Sequence, residues 1–246
     1  MMSMGLRFSV RDWWAWAPGR ESRAAWIDWA GGETVTAADE AAPSLPMMLR
    51  RRTTPFGQKM VAGALACGPY AGSARCVLAS RHGELSRTLG ILRAQSAGDL
   101  PSPAEFSMAV HHGLAGLLSI HTGNRAGHTA LAAGPDSFGF GLMEALACLA
   151  ERPEEPVLLI YGDEALPEPY TPFRTAEEAA LPLVVVVALG SAAEGGDTMT
   201  MSAVPTGGQG CAPAPAALDF LRFLLSGADA AASDGERMRW EWRRAA

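Results

Sequence analysis

Two side chains with reactive oxygen atoms stand at a sharp turn in the middle of the chain, in the sequence Gly134-Pro135-Asp136-Ser137. The Ser137 hydroxyl is a candidate nucleophile for ester hydrolysis or acyl transfer, if a histidine acts as its base. The candidate bases are His82, His111, His112, His121 and His128. The spacing disfavours this hydrolase hypothesis, because a nucleophile elbow reads G-x-S-x-G and here two residues separate Gly134 from Ser137. A serine at a helix start is more often a cap.

The elements around this turn predict a strand, a helix and a second strand. Residues 129–133 form a short apolar run before Gly134, and the helix begins at about Phe138. Pro153 prevents the helix from continuing, and one apolar stripe runs along it through Phe138, Leu142, Ala145, Leu146 and Leu149. Residues 157–161 are continuously apolar, as in a strand that is covered on both faces. The turn therefore lies at the carboxyl end of a strand, where α/β proteins commonly place their chemistry.

Three stretches carry a family resemblance: the helix residues 141–145 (GLMEA), the phrase LLIYGDEALP at 158–167, and the tryptophan-rich start. The helix stretch is similar to the "A-I-G-E-A" of β-ketoacyl synthases. Together the stretches resemble the short synthase-like proteins called chain length factors, which occur in bacterial aryl polyene and related type II polyketide or fatty acid clusters. The resemblance extends from about Arg7 to Pro205.

The resemblance implies that the nucleophile is missing. In the synthases a cysteine lies between such a strand and such a helix, whereas the alignment places Pro135 there, or Asp136 or Ser137 if the turn slips. We therefore predict no catalytic residues, and Cys148, well inside the helix, is interpreted as a buried small hydrophobic residue. Active synthases carry two such halves in tandem, and this chain corresponds to the first. The resemblance thus implies a non-catalytic subunit that forms a heterodimer with a full-length β-ketoacyl synthase and shapes its acyl tunnel.

The same resemblance suggests which residues lie near the tunnel and the interface. These candidates are Met108, His111, His112 and Leu114, in a helix predicted from Ser107 to Thr122, and Phe138 and Phe140. Gly113 and Gly116 weaken that helix, so they indicate close approach of another backbone or a ligand, or else tight packing on the chain's own sheet.

The only dense basic run is Arg50-Arg51-Arg52. Such a run is usually a solvated loop, but acyl carrier proteins are acidic, so these arginines are candidates for transient carrier docking.

Composition excludes several functions. The chain has 246 residues and a net charge of -6, which does not favour nucleic acid as a partner. No apolar run approaches the length of a membrane span, so we expect a soluble, cytoplasmic protein. The four cysteines and five histidines form no clusters with metal-ligand spacing, and neither a metal nor another cofactor is predicted.

The remaining patterns predict an α/β fold: one half of a thiolase-like fold, with a mostly parallel five-stranded sheet and helices on both faces. Further strands are predicted at 6–16, 76–80 and 181–189, with 197–204 as a candidate to pair beside the last of these, and further helices at 56–67, 85–97 and 216–225. We assign residues 1–215 to the synthase-like domain and 216–246 to a C-terminal helix and tail. Trp240 and Trp242 in the tail are interpreted as an anchor on the body or on a partner, and most of the early tryptophans as a cover for one sheet edge.

Overall fold

A computed structural model describes residues 5–32, 45–192, 197–207 and 214–245. Within these residues one mixed sheet of eight strands has the order β3-β2-β4-β5-β1-β6-β8-β7. The strands are β1 (Leu6–Trp16), β2 (Arg75–Ala79), β3 (His128–Leu131), β4 (Val157–Asp163), β5 (Leu183–Gly190), β6 (Thr198–Pro205), β7 (Ala230–Asp234) and β8 (Met238–Arg244).

Helices cover both faces of the sheet, as predicted. They are α1 (Arg23–Gly31), α2 (Met47–Arg52), α3 (Pro55–Ala66), α4 (Tyr70–Ser73), α5 (Leu85–Ser96), α6 (Pro103–Ala109), α7 (Gly113–Thr122), α8 (Ser137–Glu151) and α9 (Ala216–Ser226). Short 3₁₀ turns occur at Thr171–Phe173 and Ala176–Ala180. Helices α8 and α9 pack in one apolar core and α3 and α7 in the other, with the sheet between them.

The central strands alternate their side chains between the two cores. In β5, Val185 and Val187 face α8 and α9, while Val184 and Val186 face α3 and α7. Every residue of β4 and β5 is buried, which explains why both strands are continuous apolar runs in the sequence.

The predicted α/β class is correct, but the strand count and the mostly parallel pairing are wrong. The described sheet has eight strands, and only the β2–β3 and β2–β4 pairs are parallel. The other five pairs are antiparallel. The connections explain the pairing. Helical crossovers link β2, β3 and β4, so these strands run parallel, whereas the segment between β4 and β5 contains only 3₁₀ turns and the chain returns in the opposite direction.

The helix predicted from Ser107 to Thr122 is two helices, α6 and α7, separated at residues 110–112. Ser107 is not an N-cap, because it lies inside α6 and its hydroxyl donates to the Pro103 carbonyl at 2.8 Å. Pro103, a residue typical of the first helical turn, was the overlooked start signal.

The C-terminal residues contribute a helix and two strands to the same body. Helix α9 lies where it was predicted, and β8 pairs with β6 inside the sheet. Trp240 and Trp242 are fully buried in the α8–α9 core, so both serve as anchors on the body. The domain division at residue 215 stays a prediction.

Some sequence-based expectations fall on residues outside the described ranges. The Gly-, Pro- and Ala-rich composition at 31–46 and 205–215 predicts loops, but most of the first and part of the second lie outside the described ranges, as does Cys211, one of the four cysteines. Among the helices that the described ranges contain, none is long and apolar enough to cross a membrane.

Candidate functional site

Asp136, which follows Pro135 and is one of the three candidates for the nucleophile position, is a fully buried carboxylate at the start of α8. Its side chain does not cap its own helix. Instead, its Oδ1 accepts a hydrogen bond from the Trp240 indole at 3.2 Å, and its Oδ2 accepts one from the Arg237 backbone N–H at 2.8 Å. The Arg237 Nε atom lies 3.6 Å from Oδ2 as an ion pair. The carboxylate therefore fastens the β7–β8 hairpin to the turn.

Two glycines allow this close contact. A Cβ atom at Gly235 would collide with the Asp136 carboxylate, and one at Gly139 would collide with the Trp240 ring. Phe140 then packs edge-on against Trp240 at 5.1 Å between ring centroids, and the Arg237 guanidinium lies 5.0 Å from the centre of the Phe140 ring. The hairpin thus closes over the turn with no room for larger side chains at these positions.

Ser137, the candidate hydrolase nucleophile, is buried and already engaged. Its hydroxyl donates to the Gly134 carbonyl at 2.7 Å and accepts from the Ala133 N–H at 3.0 Å. Both partners are backbone groups of the same turn, and none of the described histidines bonds to the hydroxyl. This geometry favours the structural interpretation of Ser137 over the nucleophilic one.

The thiol of Cys148 lies in the middle of α8 and is buried. Burial raises the pKa of this thiol, with a further contribution from Glu144. A thiol with a raised pKa is a poor nucleophile. The sequence-based interpretation of Cys148 as a buried small residue agrees with this position.

An open groove of about 470 Å³ lies beside the turn, between the end of β3 and one side of α8. Its apolar lining consists of Leu131, Ala132, Ala133, Phe140, Met143 and Ala147. Glu144 and Arg237 add one charge of each sign to the lining. The groove can therefore accommodate apolar groups together with a polar contact at its rim.

The six tunnel and interface candidates separate into different environments. Leu114 and Phe138 are buried, one in each core, and Phe138 contacts Tyr161 and Phe220 edge-on or tilted. Met108 is half-buried against the α3–α7 core, and Phe140 lines the groove. Which of them line a tunnel stays a prediction.

The two remaining candidates, His111 and His112, stand between α6 and α7 beside strand β3. The His111 Nε2 atom donates to the Leu131 carbonyl at 3.0 Å. His112 is exposed and stacks on His128, with 5.7 Å between ring centroids. The turn and the helix break thus come together at strand β3.

The two glycines singled out in the sequence differ in their surroundings. A Cβ at Gly113 would lie 3.0 Å from the Met108 carbonyl oxygen, so this glycine permits a close approach within the chain itself. Nothing lies within 4 Å of a Cβ placed on Gly116, whose side of α7 is open. Only Gly116 therefore leaves room for a partner.

The basic run Arg50-Arg51-Arg52 forms the exposed last turn of α2. Arg87, which is buried, donates to the Arg52 carbonyl at 3.0 Å and to Glu84 at 3.0 Å. The run is therefore part of a helix that α5 holds in place, rather than the solvated loop expected from the sequence.

A second polar network lies where β2 and β4 end, and the sequence analysis missed it. Asp163, at the end of β4, is buried and its Oδ1 accepts from the Ser80 hydroxyl at 2.9 Å and the Arg81 N–H at 2.6 Å. The Arg81 guanidinium bonds to Glu177 at 2.9 Å. Glu178 in turn accepts from the Leu166 N–H at 2.8 Å. The overlooked signal was polar residues directly after two neighbouring parallel strands.

Burial is the main influence on the pKa values of the carboxyl groups in this network. It raises the pKa of Asp163 to about 7, against the opposing effect of the Arg81 N–H, the Ser80 hydroxyl and Tyr161. Burial also raises the pKa of Glu177, partly offset by Arg81, and that of Glu164. Asp163 can therefore exchange a proton near neutral pH, but its partners are protein groups that tie residues 164–182 to β2.

The fold and this site define an α/β domain in which the turn before α8 carries a buried aspartate in a structural role. The family model for the N-terminal domain of β-ketoacyl synthases matches residues 26–243, so the chain belongs to this family. No curated protein matches.

Solved structures support the same fold. The chain is similar to a structure titled as a ketosynthase (ApeO) in complex with its chain length factor (ApeC) from Xenorhabdus doucetiae, with a TM-score of 0.82 and 28% identity, over 97% of this chain and 100% of that one. An ishigamide ketosynthase/chain length factor has a TM-score of 0.56 and 16% identity, over 82% of this chain and 68% of that one. A β-ketoacyl synthase from Burkholderia phymatum STM815 has a TM-score of 0.57 and 15% identity, over 93% of this chain and 71% of that one. The thiolase-like prediction is confirmed.

Proposed function

We propose that this chain is a chain length factor: a non-catalytic subunit that pairs with a full-length β-ketoacyl-carrier-protein synthase and shapes its acyl tunnel. The pathway would be aryl polyene or related polyketide or fatty acid biosynthesis, in the cytoplasm. The observation that carries the proposal is the nucleophile turn. Condensation needs a thiolate to hold the acyl chain, and here Asp136 and Ser137 are buried and bonded to structural partners.

The length of the matched chain in the Xenorhabdus complex also supports this proposal. The match includes 97% of this chain and 100% of the matched chain in the Xenorhabdus complex, so the two have nearly equal lengths. The Burkholderia synthase is longer, because this chain covers 71% of it. The matched chain of similar length occurs in a complex of a ketosynthase with its chain length factor, and the proposal is based on this similarity.

The surface around β3 supports pairing with a synthase. Strand β3 is an edge strand that pairs only with β2 in the described sheet, so one side of its backbone is available to another strand. Exposed large hydrophobic residues are frequent in the neighbouring segment; they are Leu92, Leu100, Phe106, Val110 and Ile120. These apolar side chains are available for contact with a partner.

The first test is catalytic. We expect the isolated chain to show no condensing activity with acyl and malonyl carrier proteins and no hydrolysis of a p-nitrophenyl ester. Turnover that disappears in Ser137→Ala would instead support the hydrolase hypothesis.

The second test is assembly. Size-exclusion chromatography with light scattering should show a one-to-one complex after co-expression with a full-length synthase from the same organism, and co-expression should raise the melting temperature. A chain that remains monomeric in the presence of the synthase at micromolar concentration would refute the pairing.

A matched pair of glycines locates the interface. Gly116→Leu adds a large side chain on the open face of α7, where overpacking an interface typically costs about 1 to 3 kcal/mol of association free energy. Gly90→Leu on α5 is the control, because its Cβ would also meet nothing within 4 Å. We expect only Gly116→Leu to weaken the complex and change product length, with both variants folding normally.

Carrier docking at Arg50, Arg51 and Arg52 is part of the proposal. The three side chains are exposed on one helix turn, and attraction to an acidic carrier protein would accelerate the encounter. Arg51→Glu with Arg52→Glu should weaken carrier binding to the assembled complex, whereas Arg125→Glu, also exposed, should not. Equal effects of both changes would indicate nonspecific electrostatics.

A further inference from the structure

Two arginines share one tryptophan ring where α1 meets α9. The Arg20 guanidinium lies 5.1 Å from the centre of the Trp29 ring, and the Arg222 guanidinium lies 4.5 Å from it. Arg20 also stacks on Trp26, at 4.9 Å. The two guanidinium carbons are thus within about 10 Å of each other.

Each of these side chains comes from a different rigid element. Arg20 closes the turn after β1 through two backbone hydrogen bonds with Ala17, at 3.1 and 2.9 Å. Trp29 is on α1 and packs edge-on against the buried Trp26, with 5.3 Å between centroids. Arg222 is on α9. Stacking on an aromatic ring fixes the position of a guanidinium. Its N–H groups, which lie in the guanidinium plane, remain available for hydrogen bonds to a ligand.

The pair lacks a counter-charge in the part of the chain that the structure describes. Neither arginine has a carboxylate within 4.0 Å, although Asp219 stands one turn before Arg222 on α9. Burial and the charge of Arg222 lower the pKa of Arg20. Two adjacent like charges repel each other, and an anion bound between them would relieve this repulsion.

Hydrogen-bond acceptors are missing at the same place. Within the described residues the only hydrogen bonds of Arg20 are those of its backbone, and the guanidinium of Arg222 has none. The buried indole N–H of Trp26 also has no partner. Arg222 is exposed and Arg20 is half-buried, so water can solvate both guanidiniums, and an anion that binds them would replace this water.

We propose that Arg20 and Arg222, held on Trp29, form a binding site for an oxyanion, with a phosphate group as the preferred ligand. The planar fork of a guanidinium matches two oxygen atoms of a phosphate or a carboxylate. Two neighbouring positive charges favour an oxyanion with more than one negative charge, such as phosphate or pyrophosphate. The site is independent of the nucleophile turn and of pairing with a synthase.

The test is isothermal titration calorimetry of the intact chain with inorganic phosphate and with pyrophosphate, at an ionic strength held constant with chloride. We expect saturable binding with a dissociation constant of about 1 mM or lower. Arg222→Gln and Arg20→Gln should each weaken binding about tenfold or more, because each removes a charged guanidinium fork from the site. Trp29→Leu should weaken binding as well, because the arginines lose their platform.

Arg125→Gln is the control, because it removes one exposed positive charge far along the sequence from α1 and α9. A thermal melt of each variant verifies folding. Binding that is absent in the wild type, or that falls equally in Arg125→Gln, would overturn the proposal.

A hexaglutamate peptide in the same titration distinguishes the source of the oxyanion. Phosphate binding without peptide binding assigns the site to a phosphate-bearing small molecule. Competition between the two ligands assigns it to oxyanions generally, including the carboxylates of an acidic segment.

Discussion

Asp136 and Asp163 are both buried carboxylates near the ends of strands, but they bond to different kinds of partner. Asp136 has a guanidinium within 3.6 Å and two N–H donors from the hairpin. Asp163 accepts from the Ser80 hydroxyl and the Arg81 N–H, while the Arg81 guanidinium bonds to Glu177. Both carboxylates accept two hydrogen bonds from neutral donors, but Asp136 has in addition a guanidinium within ion-pair distance.

The two buried carboxyl groups therefore have different roles. Asp136 connects segments about 100 residues apart in sequence, so its contribution is to fix the hairpin on the turn. Asp163 connects strands that are already neighbours in the sheet, and burial raises its pKa to about 7. We therefore expect removal of Asp136 to affect stability most, and removal of Asp163 to affect mainly its pH dependence.

The largest expected effect is that of Asp136→Ala. It leaves the Trp240 indole and the Arg237 N–H without their acceptor in a buried site, and each unsatisfied buried donor costs about 1 to 3 kcal/mol of unfolding free energy. Urea unfolding measures the loss, with Asp136→Asn as the milder control. A loss below about 1 kcal/mol would mean that the hairpin is held by its tryptophans alone.

Asp163 should make the protein more stable in acid than near neutrality. Its folded pKa of about 7 lies above the ordinary value of 3.8, so the folded state binds its proton more tightly. The contribution is fully present below pH 3.8 and is lost as the pH rises to about 7, with an upper limit of about 4 kcal/mol.

Asp163→Asn isolates this effect from that of Glu164 and Glu177, whose raised pKa values act in the same direction. The amide oxygen can still accept from Ser80 and Arg81. Unfolding free energies measured between pH 4 and 8 should depend less on pH in the variant. Parallel curves for the two proteins would show that Asp163 does not titrate in this range.

The smallest effect is expected for Arg237→Gln. The Arg237 side chain is 53% exposed, so its ion pair with Asp136 is screened by water and its loss costs about 1 kcal/mol. The backbone N–H of residue 237 still bonds to Asp136. A loss as large as that of Asp136→Ala would show that the guanidinium, rather than the two N–H donors, holds the carboxylate.

Much of this protein follows from local patterns in the sequence. The bounds of β1, α3, β2, α5, α8, β4 and α9 agree with their predictions within about two residues, because alternation, helical spacing and proline stops act over short distances. The turn at 134–137, and its lack of a thiol nucleophile, also follow from the residues themselves.

Tertiary structure alone decided how the elements pair and what the turn's side chains do. The antiparallel pairing of β5 depends on the path of residues 164–182, which has no periodic signal. Asp136 has a sequence typical of a helix cap, yet it bonds to Arg237 and Trp240, which the chain brings back only through β6 and β8. Sequence spacing reports neighbours within a few residues, whereas a carboxylate buried under a distant hairpin is positioned by packing across the whole sheet.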